Sequence, residues 1–387
     1  MNSRKIIPYG KQEITESDID SVVKTLKGDF LTQGPMINKF ELEFSKYIGS
    51  KYAVAVSNGT AALHLSCISL GVKKGSKVIT TPLSFIASSN AVLYCGGEID
   101  FCDIDPETYL IDINIVREKL MRSPRGTYSG IIVVDFAGYP AQMDQFKELA
   151  DEYGLWILED SCHSPGGWYC DKKNKLQNCG NGNYADLAIF SFHPVKHIAC
   201  GEGGMITTNN ELLYKQLIQL RSHGIVRENI IRDNEAEGWY YEMQNLGYNY
   251  RLSDINATLG VSQLKRAKKN LLKRKCIAKK YETAFKNNEH IKIIPFLEGH
   301  AYHLYVIQTN KRKELYNYLK LSNIFTQVHY IPIHLHPYYK QFGWKKNQFP
   351  EVENYYHNCL SLPIFPSLSE RDLEYVIQKI LKFDFLK

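Results

Sequence analysis

The chain lacks any Cys-x-x-Cys pair. Its nine cysteines, at positions 67, 95, 102, 162, 170, 179, 200, 276 and 359, are odd in number and scattered. That pattern argues against a zinc ribbon or a disulfide framework and reads as reduced thiols of a cytoplasmic protein. No apolar run approaches the ~20 residues of a membrane span, and the stretch 130–139 is far too short. The opening Met1–Pro8 (MNSRKIIP) has no apolar core of the kind a secretory leader carries. Internal repeats and low-complexity tracts are also missing. What remains is an ordinary globular composition, 387 residues with 44% hydrophobic and 23% charged, enough for a large core and two or three domains.

The net charge of +6 is concentrated locally. Residues Leu264–Lys275 (LKRAKKNLLKRK) form a basic segment with helical spacing. No stacking aromatics interleave it, so a nucleic-acid partner is not expected. It reads as a solvated helix face, with Leu264, Leu271 and Leu272 available for the inner side, and its field suits a small anionic ligand such as a diphosphate. Gly180-x-Gly182-x-x-Ala185 has the letters of a dinucleotide fingerprint, but a polar loop precedes it and a strand follows, the reverse of what that motif needs. His329, His334 and His336 have no acidic or cysteine partner at metal-binding spacing, so no metal is expected, and they read as polar lining of a cleft.

Strand-like and helix-like segments alternate from about residue 52 to 210. Strands are expected at Tyr52–Val56, Lys77–Thr80, Glu98–Ile104, Gly130–Phe136 and Leu155–Leu158, the last ending in Glu159-Asp160. Helices are expected at Ala61–Leu70, Phe85–Tyr94 and Met143–Tyr153. The βαβ alternation predicts a mainly parallel sheet covered by helices on both faces, hence an α/β large domain over residues 1–263. The first forty residues read as helix plus the loop Leu31–Pro35, wrapping one domain or a partner subunit. After Leu264 a long charged helix, strands at His303–Gln308 and Thr326–Tyr330, a Pro/His/aromatic loop and a terminal helix from Glu370 predict a smaller α+β domain over 264–387.

Three segments should converge beyond the carboxyl ends of the strands, where open α/β sheets bind ligands. Ser57-Asn58-Gly59-Thr60 lies between a strand and a helix. Gly59 permits close backbone approach, and the helix start offers free N–H groups and the Thr60 hydroxyl, which suits a phosphate, although such a sequence is also an ordinary N-cap. Asp160 ends an apolar strand, with His163 three residues on, and a carboxylate placed there needs a cationic partner or strong hydrogen bonds. Lys196 follows the apolar run Leu187-Ala-Ile-Phe-Ser191, with Pro194 ending the ladder near it and Gly201-Glu-Gly-Gly204 behind. A phosphate cradle, a buried acid and a lysine amine of lowered pKa are what a pyridoxal phosphate enzyme requires.

The segments SNGTAALHLS, TTPLSFIASSNAV, LEDSCHSPG, FSFHPVKHIACGEGGM, RSHGI and LGYNYRLSDINATLGVSQL stand in that order. Together they resemble the DegT/StrS-type sugar aminotransferases, a fold-type-I pyridoxal phosphate family, over roughly residues 8 to 375. Within it, HPVKHI, RSHGIV, HLYVI and VHYIPIHLHPYY look most like the branch of the pseudaminic acid pathway that aminates C4 of a UDP-linked 4-keto-6-deoxy-N-acetylhexosamine. The resemblance implies a Schiff-base role for Lys196, pairing of Asp160 with the pyridine nitrogen of pyridoxal 5'-phosphate, and a place for His163 near the phenolic oxygen, so that these three are the catalytic candidates. Gly59, Thr60 and Ser191 would hold the phosphate and Phe85 would stack on the ring. Asn249 would reach the neighbouring subunit's phosphate, making a homodimer with shared active sites. Thr32, His329, Tyr330, His334 and Tyr338 are candidate contacts to the nucleotide sugar, and L-glutamate is the implied amino donor. The loop Trp168–Asn183 is longer and more polar than the hairpin usual before the lysine strand. The same chemistry on a UDP- or dTDP-4-keto-6-deoxyglucose is the alternative. A sugar dehydratase is disfavoured because that activity replaces the lysine by histidine. A non-catalytic cofactor-binding regulator is disfavoured because 387 residues leave no room for an appended module.

Overall fold

The apolar runs assemble into one seven-stranded sheet in the computed structural model, which describes residues 6–226 and 239–386. Residues 1–5 of the opening discussed above lie outside these. In chain order the elements begin with α1 (Glu16–Leu26), α2 (Pro35–Ile48), β1 (Tyr52–Val56), α3 (Gly59–Ser69), β2 (Lys77–Thr80), α4 (Ala87–Tyr94) and β3 (Glu98–Phe101). They continue with α5 (Ile113–Arg122), β4 (Gly130–Val134), α6 (Met143–Tyr153), β5 (Trp156–Asp160), the hairpin strands β6 (Trp168–Cys170) and β7 (Leu176–Asn178), β8 (Leu187–Ser191), β9 (Gly204–Thr208) and α7 (Glu211–Leu220). The sheet order is β1-β9-β8-β5-β4-β2-β3, and β9 alone runs against both its neighbours while the other pairs are parallel. Every residue of β4 is buried, as a strand covered on both faces must be.

The N-terminal segment is tied down by charge. Asp254, first residue of α8 (Asp254–Leu264), accepts hydrogen bonds from the Gly34 and Met36 amides at 2.7 and 2.9 Å, so it satisfies N–H groups at the start of α2 that the helix itself cannot. Burial works to raise the Asp18 carboxyl, yet hydrogen bonds from Arg266 and Ser262 hold it at about 2. Further along, Lys292–Ile293, Tyr305–Gln308 and Cys359–Leu362 form a three-stranded antiparallel sheet, and the helix Glu370–Leu381 closes the fold. Ile7 joins the hydrophobic cluster of this C-terminal part and bridges to Ile324.

Three sequence expectations change. The ladder before Lys196 ends at Ser191, because Phe192 and Gly203 close a loop over 192–203 through the Phe192 amide, and Lys196 sits within that loop. No strand forms over Thr326–Tyr330. After one bridge, Gln327 to Ser361, the backbone leaves the sheet, and its His329 carbonyl accepts from the Tyr355 hydroxyl at 2.8 Å instead of from a ladder amide. The basic helix α9 (Ala267–Phe285) buries Leu271 but exposes Leu272, and it is not merely a solvated face. Arg274 is fully buried, with Nη1 donating to the carbonyls of Tyr302, His303 and Ile364. Burial pushes its guanidinium down to about 10.

Candidate active site

The carboxyl ends of β1, β2, β4, β5 and β8 open onto a cavity of about 780 Å³, a size usual for a cofactor with its substrate. Asn58, Gly59, Thr60, Phe85, Ser88, Asp160, His163, Ser191, Lys196, His329 and Tyr330 line it, so three segments far apart in sequence meet at one place.

At the start of α3, the Asn58 side chain accepts from the Ala61 amide at 2.8 Å, the ordinary N-cap role. The first-turn amides of Gly59 and Thr60 have no intrahelical acceptor, and both residues line the cavity. Side chains are barred here by packing. A Cβ on Gly59 would lie 3.0 Å from Ser191 Cβ, and one on Gly204 would collide with the Asn58 carbonyl. Helix start, Ser191 and the β9 backbone are thus pressed into a shallow cup of N–H and O–H donors. This cup fits a phosphate monoester.

Asp160 ends β5 and is buried. Its carboxylate accepts from Ser88 Oγ at 2.7 Å and from the Cys162 amide at 3.2 Å. Ser88 was not foreseen, although it lies one helical turn after Phe85 in the same motif. Lys196 lies in the cavity wall. Burial lowers its ammonium pKa, while the nearby Cys162 and Asp160 act in the opposite direction. A buried, hydrogen-bonded acid and an amine with reduced basicity are the pieces needed to hold a protonated ring nitrogen and to move a proton. His163 donates no charge here: burial, then the fields of Lys196, His329 and His197, keep the imidazole neutral. Phe85 is more than half exposed at the rim, with its ring centroid 6.1 Å from that of Tyr330.

A second acid pair lies behind Asp160. Asp135 and Glu159 are buried and hydrogen-bonded to each other, and Ser161 Oγ donates to both, at 3.2 and 2.9 Å. Ser164 Oγ donates to Asp135 and the Gly180 amide to Glu159. Burial, then the Asp135 charge, raises Glu159 well above its ordinary value of 4.5, so Glu159 keeps its proton. With Cys179 these two form the one cluster of metal-ligating side chains among the described residues, within 4.8 Å. Serine and backbone donors already occupy the oxygens, and the pair instead anchors the turn 161–164 that carries His163. The sign of the pH dependence follows. A carboxyl raised on folding contributes stability that is fully present below 4.5 and is lost as pH rises through its folded value. Glutamine copies the protonated acid and does not titrate. Glu159→Gln is therefore expected to gain melting temperature over wild type by several degrees (~2–4 °C per kcal/mol) as pH rises from about 5 to 8. A difference that stays flat across a series of thermal melts would show that Glu159 ionises normally.

Several candidates are not in the cavity. His334 is fully buried and bonds Glu353 at 3.1 Å, so it supports the fold and cannot reach a ligand there. Tyr338 is exposed and packs on Tyr339 and Phe342. Thr32 is exposed and bridges Ser253, beside a separate hollow lined by Gln33, Arg221 and Arg251. Asn249 is exposed and pairs with Ser222. Conversely Tyr9, His64, Tyr94, Cys162, Tyr250 and His303 line the cavity without having been singled out. They come from segments whose register only the fold brings together.

The family model for DegT/DnrJ/EryC1/StrS aminotransferases matches residues 12–381. The UDP-4-amino-4,6-dideoxy-N-acetyl-beta-L-altrosamine transaminase of Campylobacter jejuni serotype O:2 is 37% identical over 380 residues, covering 96% of each chain. Helicobacter pylori PseC, an aminotransferase involved in the biosynthesis of pseudoaminic acid, superposes with a TM-score of 0.88 at 29% identity, covering 98% of this chain and 99% of its own. The PLP form of the putative sugar aminotransferase Spr1654 from Streptococcus pneumoniae gives 0.85 at 26% identity, covering 96% and 97%. With matches running through almost its whole length, the chain belongs to the DegT/DnrJ/EryC1/StrS aminotransferase family.

Proposed function

We propose that this sugar aminotransferase transfers the amino group of L-glutamate to C4 of a UDP-linked 4-keto-6-deoxy-N-acetylhexosamine, using pyridoxal 5'-phosphate, as a cytoplasmic homodimer. The observation that carries the reading is the meeting of Lys196, Asp160 and the start of α3 around one cavity. Pyridoxal phosphate, when bound, supplies an electron-accepting ring and a carrier for the amino group. The Gly59 and Thr60 amides and hydroxyls of Thr60 and Ser191 bind its phosphate. Asp160, oriented by the hydrogen bond from Ser88, would pair with the ring nitrogen. Lys196 Nζ would tether the group and serve as the base and acid that moves a proton, a task that its lowered pKa suits. Phe85 covers one ring face, His163 stands near the phenolic oxygen, and His329 and Tyr330 face the sugar. The reading keeps a cofactor-binding part over 1–263 and a smaller part over 264–387. Asn249, exposed and outside its own chain's cavity, would serve the partner's phosphate, and Thr32 would contact the nucleotide sugar.

The substrate class rests on the Campylobacter relative's name and the HPVKHI and VHYIPIHLHPYY segments. The test is a panel of nucleotide-linked 4-ketosugars incubated with glutamate, with products identified by NMR. The expected product is the 4-amino-4,6-dideoxy-N-acetylhexosamine nucleotide, with one 2-oxoglutarate formed per turnover. Amination confined to 4-keto-6-deoxyglucose nucleotides would overturn the acetamido assignment.

A further inference from the structure

The Ala137 backbone amide donates to Nδ1 of His163 at 3.2 Å. An amide N–H cannot accept, so Nδ1 is the lone-pair nitrogen and the neutral imidazole carries its hydrogen on Nε2. Ala137 is not free to turn away. It lies in the tight turn Phe136–Gly138 at a left-handed φ of 59°, closed by the Gly138 amide on the Asp135 carbonyl, and its own carbonyl accepts from the Leu304 amide. The Nε2 of His163 lies 3.4 Å from the hydroxyl oxygen of Tyr330. Since Nε2 is the protonated nitrogen, that oxygen accepts, and the Tyr330 hydroxyl hydrogen is left to point elsewhere. The Tyr330 ring is held by Phe85 and Phe136, at centroid distances of 6.1 and 6.2 Å, and stacks near-parallel on His163. Burial keeps the phenol protonated. His163 and Tyr330 share the cavity wall with Lys196 and Asp160. By contrast, the hydroxyl of Ser88 is already committed to Asp160.

We infer that Ala137, His163 and Tyr330 form a one-way hydrogen-bond relay whose outlet, the Tyr330 O–H, donates to the carbonyl oxygen of the keto substrate. The inference rests on the transamination proposed above. When nitrogen attacks a ketone carbon, negative charge collects on the oxygen, and a donor already aimed at that oxygen stabilises the charge without reorganising. Tyr330 touches substrate and is the catalytic residue of the relay. His163 acts through it and is a positioning residue. The Ala137 amide sets the direction, since it alone decides which imidazole nitrogen carries hydrogen.

Two measurements test this. Nitrogen-15 NMR of the histidine-labelled full chain, with and without cofactor, reads the His163 tautomer directly, the signal being assigned by its loss in His163→Gln. Unprotonated Nδ1 and protonated Nε2 are expected, and the opposite pattern overturns the relay. Tyr330→Phe keeps the ring between Phe85 and Phe136 but removes the oxygen. It is expected to leave the His163 tautomer and the cofactor affinity unchanged while kcat on UDP-4-keto-6-deoxy-N-acetylhexosamine falls about ten- to a hundredfold. A kcat within about twofold of wild type removes Tyr330 as the donor. A tautomer that flips in Tyr330→Phe shows that tyrosine, not Ala137, sets the direction. If wild type aminates no ketosugar, the proposed function fails, while the NMR result still decides the relay and the Tyr330→Phe comparison is made with 2-oxoglutarate as the keto substrate.

Discussion

Lys196→Ala is expected to lower turnover by at least about 10⁴-fold, the largest effect of any single substitution here. The lysine does two jobs in the proposed mechanism, tethering the cofactor and moving the proton, and no second amine lines the cavity among the described residues. Its replacement leaves the cup at Gly59, Thr60 and Ser191 intact, together with Asp160 and its two donors. The variant should therefore still bind pyridoxamine phosphate, read as a visible or near-ultraviolet absorbance titration. Borohydride treatment of the yellow wild-type protein, followed by peptide mapping, should place the fixed cofactor on Lys196. An adduct on another lysine, or multiple turnover by the alanine variant, would exclude the assignment.

Asp160→Asn should cost about two to four decades in kcat, with a melting temperature close to wild type. The amide keeps the shape of the acid and can still accept from Ser88, so the local fold has little reason to change. It cannot stabilise a positive ring nitrogen. Breaking a buried charge pair from one side costs roughly 3–5 kcal/mol, and at ~1.4 kcal/mol per tenfold that is the loss expected. The absorbance of bound cofactor gives an independent reading, because a ring nitrogen that loses its proton changes spectrum. A rate loss under about tenfold would mean that the ring nitrogen has another partner.

Much of the architecture was legible because burial leaves a periodic trace. The strands Tyr52–Val56 and Lys77–Thr80 and the helix Met143–Tyr153 match their expected limits, and the all-apolar β4 announces a strand covered on both sides. Lys196 and Asp160 stood out as candidates for a different reason. Asp160 ends one apolar run and Lys196 follows another, and the order of motifs around them matches a known family. Where local pattern and tertiary demand diverge, the reading failed. Thr326–Tyr330 has the composition of a strand, but its backbone finds a tyrosine hydroxyl instead of a ladder. His334 looks like a ligand contact by its company of histidines and aromatics, yet Glu353 claims it in the interior. The basic run at α9 hides a buried arginine, since sequence charge does not reveal the carbonyls of Tyr302, His303 and Ile364 waiting opposite.

The sequence by itself determined the α/β class, the family and the cofactor chemistry. The class follows from short-range features, period and turn residues, and the family and cofactor follow from the order of its motifs. Tertiary structure alone decided that Ser88 donates to Asp160, that Asp135 and Glu159 are hydrogen-bonded behind it, and which nitrogen of His163 carries hydrogen. Those are contacts between residues 24 to 167 positions apart, from Asp135 with Glu159 to His163 with Tyr330. No local pattern encodes them, because hydrogen-bond direction depends on which partner the folded chain brings within about 3 Å.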